Sequence, residues 1–344
     1  MEAVSEKNPV AVALETVNCP VCNSSRYKKL FDVPSEPLEF GLAFGIVRCE
    51  ACGLVFTNPR PTEADMGRFY GEAYYGPKHR RFMGPIEWIE TFFRFRRIKN
   101  IERYKKKGRI LDLGCGRAQM LTLMCKRGWE VYGTEWTEES AHDAREVLGT
   151  NIMVGEIFNL KLPEKHFDCI TLWHVFEHTY HPRKILAEVS RIIKPGRLLI
   201  IALHNFDSRM ARFGGKNWFN FDAPRHLMHF TPAQLEKFLV EYGFETVNTS
   251  HLSWEFDPYC WLQTLYNKLG FEHNLFYTMI RRRDWWQEFT FKKLLQAIGT
   301  LLLLLPLGLI ALIIAVIDGI GKQNGTFINY AIREPSIDKK LQTE

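Results

Sequence analysis

From residue 108 onward the chain alternates two kinds of apolar pattern. Short runs (GRILDL, WEVYGTEW, NIMVGEI, FDCITLWHVFEH and RLLIIALH) are bounded by glycine and charged residues, as buried strands are. Between them, TEESAHDAREVLG and HPRKILAEVSRIIKPG space their apolar residues three and four apart, the period of a helix with one covered face. This alternation predicts an α/β fold, with helices on both faces of a parallel sheet and a ligand site at the strand C-terminal ends. Upstream, Trp88, Phe92, Phe95, Ile98 and Ile101 form one helical stripe, predicted to cover the sheet. A helix lying on a membrane surface is the alternative.

The punctuation between elements carries the candidate chemistry. DLGCGRA, after the first strand of the alternation, holds Gly114 and Gly116. A glycine turn alone fits many nucleotide-binding folds, and Gln119 stands where a hydride-transfer fingerprint would have its third glycine. Glu135 ends the next strand, where a carboxylate can accept from both hydroxyls of a ribose. Nearer the N-terminus, CPVC and CEAC supply Cys19, Cys22, Cys49 and Cys52. Two such knuckles give tetrahedral thiolate ligation of Zn2+, and four cysteines leave no open position, so the predicted role is structural. Cys115, Cys125, Cys169 and Cys260 read as single packed thiols.

The series ILDLGCG, GTEW, VGEI, FDCITLWHVFEH and RIIKPGRLLI, in that order over residues 108–203, resembles the class I S-adenosylmethionine-dependent methyltransferases. The resemblance implies a Rossmann-like seven-stranded sheet. It implies that Asp112, Gly114 and Gly116 shape the cofactor turn, that Glu135 holds the ribose, and that Trp136 packs on the adenine. Glu156 would accept from the adenine amino group and Trp173 would wall the methionine end. His204-Asn205 departs from the Pro-Asn often found there. The cysteine knuckles and PRHLMHF together resemble the branch associated with sugar and polysaccharide biosynthesis.

Methyl transfer to a hydroxyl or an activated carbon requires a base, and histidine suits either. HVFEH and PRHLMH supply the candidates: His178 first and His226 second, with Glu177, and His174 and His229 toward the acceptor. Arg225 is positioned to clamp an acceptor phosphate or carboxylate. The same histidines and Glu177 also fit a divalent metal that orients acceptor oxygens.

Composition changes this picture at two places. Formal charge is +6, with basic clusters at 78–81, 94–109, 281–283 and 292–293 that suit anionic headgroups or phosphates. The first eighteen residues have neither the basic nor the long apolar part of a secretory signal, and eight cysteines without one point to a cytoplasmic, reducing setting. The second place is the apolar run over 294–317, which as one helix would reach ~36 Å, enough for a bilayer core. GTFINYAIRE (325–334), however, reads as the reversed last strand of the methyltransferase sheet, beside ETVNTSHLSW (245–254), so the chain must return to one side. Pro306 and Gly308 in mid-run predict a helical hairpin that enters one leaflet and leaves by the same face, anchored by Trp285, Trp286, Arg281–Arg283, Lys292 and Lys293. A helix pair buried in protein is the alternative.

The expected organisation is a zinc ribbon (1–60), a helical connector (61–107), a methyltransferase core (108–254), a membrane-associating insertion (255–324) and a last strand with tail (325–344). The expected protein is a methyltransferase on the cytoplasmic face of a membrane, with a lipid-linked sugar or similar amphiphile as acceptor. Alternatives are a soluble nucleotide-sugar or metabolite acceptor, and a non-catalytic membrane scaffold. Nucleic acid is disfavoured as a partner because the basic residues share their region with membrane-seeking aromatics.

Overall fold

The structure is a computed structural model that describes residues 12–35, 41–70, 84–251, 253–281 and 290–335. The predicted anchors Trp285, Trp286, Arg282 and Arg283 lie outside the described residues, as does the Trp88 side chain.

The N-terminal strands are β1 (Leu14–Glu15), β2 (Tyr27–Pro34), β3 (Ala43–Cys49), β4 (Val55–Thr57) and β5 (Arg60–Pro61). Helices α1 (Glu63–Met66) and α2 (Gly84–Tyr104) lead into the alternating region. That region runs β6 (Arg109–Leu113), α3 (Gln119–Lys126), β7 (Glu130–Glu135), α4 (Glu138–Leu148), β8 (Ile152–Val154), β9 (Phe167–Trp173), α5 (Pro182–Ile192) and β10 (Ile193–His204). Next come α6 (Arg209–Gly214), β11 (Met228–His229), α7 (Pro232–Val240) and β12 (Phe244–Ser250). The chain closes with α8 (Asp257–Lys268), α9 (Leu275–Arg281), α10 (Phe291–Ile320) and β13 (Thr326–Arg333).

Seven strands form the main sheet in the order β12-β13-β10-β9-β6-β7-β8. β10, β9, β6, β7 and β8 run parallel, and β13 is antiparallel to both neighbours. Every residue of β10 from Leu198 to Leu203 is buried, which explains its unbroken apolar run: helices cover both faces. α4 starts at a capping box of Thr137 and Ser140, and α7 at one of Thr231 and Gln234.

The second sheet, β11-β4-β3-β2, is not built from the N-terminal segment alone. Its edge strand β11 comes from PRHLMHF, and Thr57 adds two bonds, its amide donating to the Leu227 carbonyl (3.0 Å) and its hydroxyl to the His226 carbonyl (2.8 Å). One core runs through both sheets, with Phe44, Ile46 and Phe56 packed in the same cluster as Phe176, Phe230 and Phe238.

Three sequence expectations are corrected. FDCITLWHVFEH is strand only to Trp173, because His174 has a left-handed φ of 54° that cannot continue an extended strand, and Phe176–His178 form a short 3-10 turn. The predicted aromatic stripe of α2 is covered only at its C-terminal end: Ile98 and Ile101 are buried, whereas Phe92 and Phe95 are exposed. The predicted hairpin is instead one continuous helix, α10, about 45 Å long at 1.5 Å per residue. Proline removes one helical hydrogen bond, and its fixed φ is itself helical. Here the loss is borne because Ala297, Thr300, Ala311, Ala315 and Asp318, on both sides of Pro306, are buried along the helix. Tyr266 donates to the Thr300 carbonyl (2.6 Å) and Trp261 Nε1 to Asp318 (3.1 Å), docking both halves on α8.

Candidate active site

Two groups of side chains meet at the C-terminal edge of the parallel strands. The first surrounds the turn after β6. Gly114 has φ 65°, and an added Cβ would lie 2.5 Å from Val175 Cγ2, so only glycine fits between this turn and the loop after β9. Gly116 has φ 55°, and an added Cβ would meet nothing within 4 Å, so its backbone faces open space. The Gly116 amide donates to Glu135 Oε1, which brings the turn and the end of β7 together. Burial raises the Glu135 carboxyl above its ordinary range. Asp112, under the turn, is buried and accepts from Thr171 Oγ1 at 2.5 Å; burial pushes its pKa up to about 7.

Glu156 stands at the adjoining strand end, since the Gly155 amide donates to the Glu135 carbonyl (2.9 Å). Its pKa is raised by burial and by nearby Glu63. Trp136 is partly exposed, with the Tyr70 ring edge-on at 6.4 Å. Trp173 lies beneath the Arg97 guanidinium, 4.6 Å from the ring centroid, and Arg97 also pairs with Glu255 at 2.6 Å. Arg97 and Tyr70 were not singled out in the sequence. Arg97 had a readable signal, since it stands one helical turn before buried Ile101 and so on the covered face of α2. Tyr70 sits in the connector and had none.

The second group is a cluster of histidines around Glu177, which is only 3% exposed. His178 Nδ1 lies 3.0 Å from the Arg225 carbonyl and 2.8 Å from the Tyr70 hydroxyl. With Nδ1 donating to the carbonyl the lone pair lies on Nε2; with Nδ1 accepting from the Tyr70 hydroxyl it lies on Nδ1. His226 Nδ1 donates to the Asn220 carbonyl at 2.8 Å, which places its lone pair on Nε2. The His178 and His226 ring centroids are 4.7 Å apart. Burial, and then the neighbouring His226, hold the His178 pKa at about 4, so its imidazole is neutral at physiological pH. His174 Nδ1 donates to Glu177 Oε1 (3.3 Å), and His204 stacks at 4.5 Å from His174.

Two expected acceptor contacts take other roles. Arg225 is 4% exposed and is paired through two nitrogens with Asp222, while its Nη1 donates to the Phe69 carbonyl (3.2 Å). Burial drives the guanidinium to satisfy its donors inside the protein, so it braces the loop and is not turned toward an acceptor. His229, on β11, is buried among Phe206, Trp218 and Phe221, and burial lowers its pKa to about 3.

At the end of β3 the four cysteines converge. Cys19 and Cys52 sulfurs are 3.5 Å apart, Cys22 and Cys49 likewise, and all four lie within 4.8 Å of one another. Sulfurs around a tetrahedral Zn2+ at 2.3 Å would be about 3.8 Å apart, so the donor set fits zinc.

Residues 80–249 match a family described as a methyltransferase domain. An uncharacterized methyltransferase of Geobacillus sp. is 29% identical over 129 residues, 36% of this chain and 61% of the relative. A ubiquinone biosynthesis O-methyltransferase of Maricaulis maris is 31% identical over 147 residues, 39% of this chain and 58% of the relative. The chain thus spans about three-fifths of the length of these curated relatives. Among solved structures, a phosphoethanolamine N-methyltransferase 2 of Haemonchus contortus aligns with a TM-score of 0.49 and 14% identity, covering 81% of this chain and 62% of that one.

Proposed function

We propose that this chain, whose residues 80–249 match a methyltransferase domain family, is a class I S-adenosylmethionine-dependent enzyme that transfers a methyl group to a hydroxyl or activated carbon of a lipid-linked sugar or similar amphiphile. One observation carries the reading. The open Gly116 backbone and the Glu135 carboxylate make a cradle at the sheet edge, and Tyr70 links that cradle, through Trp136, to a neutral His178. These residues fit the cofactor: Glu135 for the ribose hydroxyls, Trp136 and Glu156 for the adenine, Trp173 and Arg97 for the methionine end.

When bound, S-adenosylmethionine supplies an electrophilic methyl on a sulfonium. The chain's own task is to place the acceptor and remove its proton. His178 suits this in the tautomer whose Nδ1 proton is held by the Arg225 carbonyl, which leaves Nε2 to accept. The naming of one relative as an O-methyltransferase supports a hydroxyl acceptor. Calorimetric titration with S-adenosylmethionine tests the cofactor reading, and labelled methyl transfer into lipid and glycan extracts tests the acceptor.

The base assignment predicts a pH profile. A histidine with lowered pKa stays neutral above it, so kcat/KM is expected to rise through about pH 4 and to be level near neutrality. An acid limb at the ordinary histidine value near 6.5 would remove His178 from the role.

The membrane part of the reading rests on the free face of α10. Leu295, Leu302, Leu305, Leu309, Ile313 and Ile320 repeat at helical spacing and are exposed, Leu305 to 84%, opposite the stripe docked on α8. A helix held by protein along one face lies flat in one leaflet more readily than it crosses. Lys292, Lys293 and Lys322 at its ends suit anionic headgroups. We propose that the four cysteines hold structural Zn2+. Changing Leu302, Leu305 and Leu309 together to serine is expected to cut binding to phosphatidylcholine–phosphatidylglycerol vesicles by roughly 10³-fold or more, taking ~1.5–3 kcal/mol per buried leucine. Wild-type protein that stays in the supernatant, or a triple variant that sediments as before, would count against the membrane assignment.

A further inference from the structure

The histidine cluster contains more than a base requires. His174, Glu177 and His204 each keep a buried polar atom with no hydrogen-bond partner among the described residues: His174 Nε2, Glu177 Oε2 and His204 Nδ1. A buried polar atom left unpaired is destabilising, most of all on a carboxylate. Three in one place suggest a common occupant. One donor atom from each of these residues lies within 4.8 Å of those of the other two.

The three come from positions the fold holds rigidly. His174 follows β9 in a left-handed backbone conformation and His204 ends β10, while the Glu177 carbonyl accepts from the Leu227 amide at 2.8 Å. The His174 and His204 ring centroids lie 4.5 Å apart with their planes tilted by 32°. No Lys or Arg pairs with the Glu177 carboxylate among the described residues; its one hydrogen-bond donor is His174. Glu177 also lies within 4.8 Å of a donor atom of His178 and of His226, so the carboxylate is shared by both sides of the cluster, and the unpaired atoms mark the His174–His204 side.

We propose that His174, Glu177 and His204 bind a first-row divalent cation, distinct from the four-cysteine site. Two imidazoles and a carboxylate on one side of an ion leave its other positions open, the donor set that suits iron, manganese, zinc or cobalt. Glu177 then has a positive partner, and the ion faces the space next to His178, where an acceptor oxygen can join it. The use of the ion to orient an acceptor rests on the methyl-transfer reading; the binding of the ion does not.

The test is a titration of Co2+ into the full-length protein holding one equivalent of zinc per chain, followed by visible absorption and by metal analysis after desalting. Wild type is expected to take up one further equivalent, with weak visible bands and no thiolate-to-cobalt charge-transfer band. Glu177→Gln and His204→Ala are expected to bind it at least ~10-fold more weakly, with circular dichroism as the check on folding. Wild-type protein without saturable cobalt uptake overturns the proposal whatever the variants do, and so does uptake showing only the thiolate band. Folded His204→Ala with unchanged affinity also overturns it. S-adenosylmethionine calorimetry on the same samples keeps the two readings apart: cofactor binding without cobalt uptake sinks the metal site alone, and cobalt uptake without cofactor binding sinks methyl transfer alone.

Discussion

Glu135→Ala is expected to weaken S-adenosylmethionine binding by roughly 10²–10⁴-fold, with little effect on folding. The carboxylate already accepts from the Gly116 amide, so it is held beneath the open turn before any ligand arrives. Burial raises its pKa, which marks a carboxylate poorly solvated by water and therefore receptive to donors from a ligand. Hydrogen bonds to a charged acceptor contribute about 1.5–3 kcal/mol each, and two ribose hydroxyls would lose both. At 1.4 kcal/mol per tenfold, that gives the stated range. Glu130→Ala is the control, since that carboxylate pairs with Arg109 at the opposite end of the same strand. Calorimetry in which Glu135→Ala binds as tightly as wild type would remove the cofactor site from this turn.

Cys49→Ser is expected to lower stability and abolish methyl transfer, yet leave cofactor affinity nearly intact. Structural zinc supplies folding free energy on the order of 10 kcal/mol in small modules. Even a third of that would lower the Tm by roughly 5–10 °C in a domain of this size. The loss would spread because β3, which ends at Cys49, carries β4, and β4 holds β11 and, through Thr57, the His226 carbonyl. Slackening this sheet should displace the acceptor-side histidines while the Gly116–Glu135 cradle, built on β6 and β7, stays in place. The paired readout is thermal unfolding with and without chelator, and calorimetry with S-adenosylmethionine. Unchanged melting, or loss of cofactor binding in step with activity, would contradict this division of labour.

The parallel strands and their helices were legible along the chain because each depends on local pattern: unbroken apolar runs for strands covered on both faces, three-and-four spacing for helices, capping residues at helix starts. The reversed last strand was legible through the resemblance, and β13 pairs between β10 and β12. The glycine turn and Glu135 could be placed in advance because the requirement for positive φ and a strand-end carboxylate is written into single residues. The cysteine knuckles were legible for the same reason, since their spacing alone fixes which sulfurs can share an ion.

What tertiary structure decided is everything that depends on which side chains share a buried space. The sequence read Arg225 as a free cation; only packing shows that Asp222 and a carbonyl already use its donors. Tyr70 reaches the candidate site from the connector, a contact that no local pattern encodes, and for Arg97 the pattern gave its covered face but not its partner Trp173. Pro306 and Gly308 read as a break, because proline removes a hydrogen bond; docking along α8 keeps α10 whole. That the stripe of small and polar residues (Ala297, Thr300, Ala311, Ala315, Asp318) is the covered one and the leucine and isoleucine stripe the exposed one is likewise decided only by the docking on α8. Local chemistry fixed the elements and the reactive residue types, whereas burial, through the cost of unpaired polar groups, fixed which of them remain available.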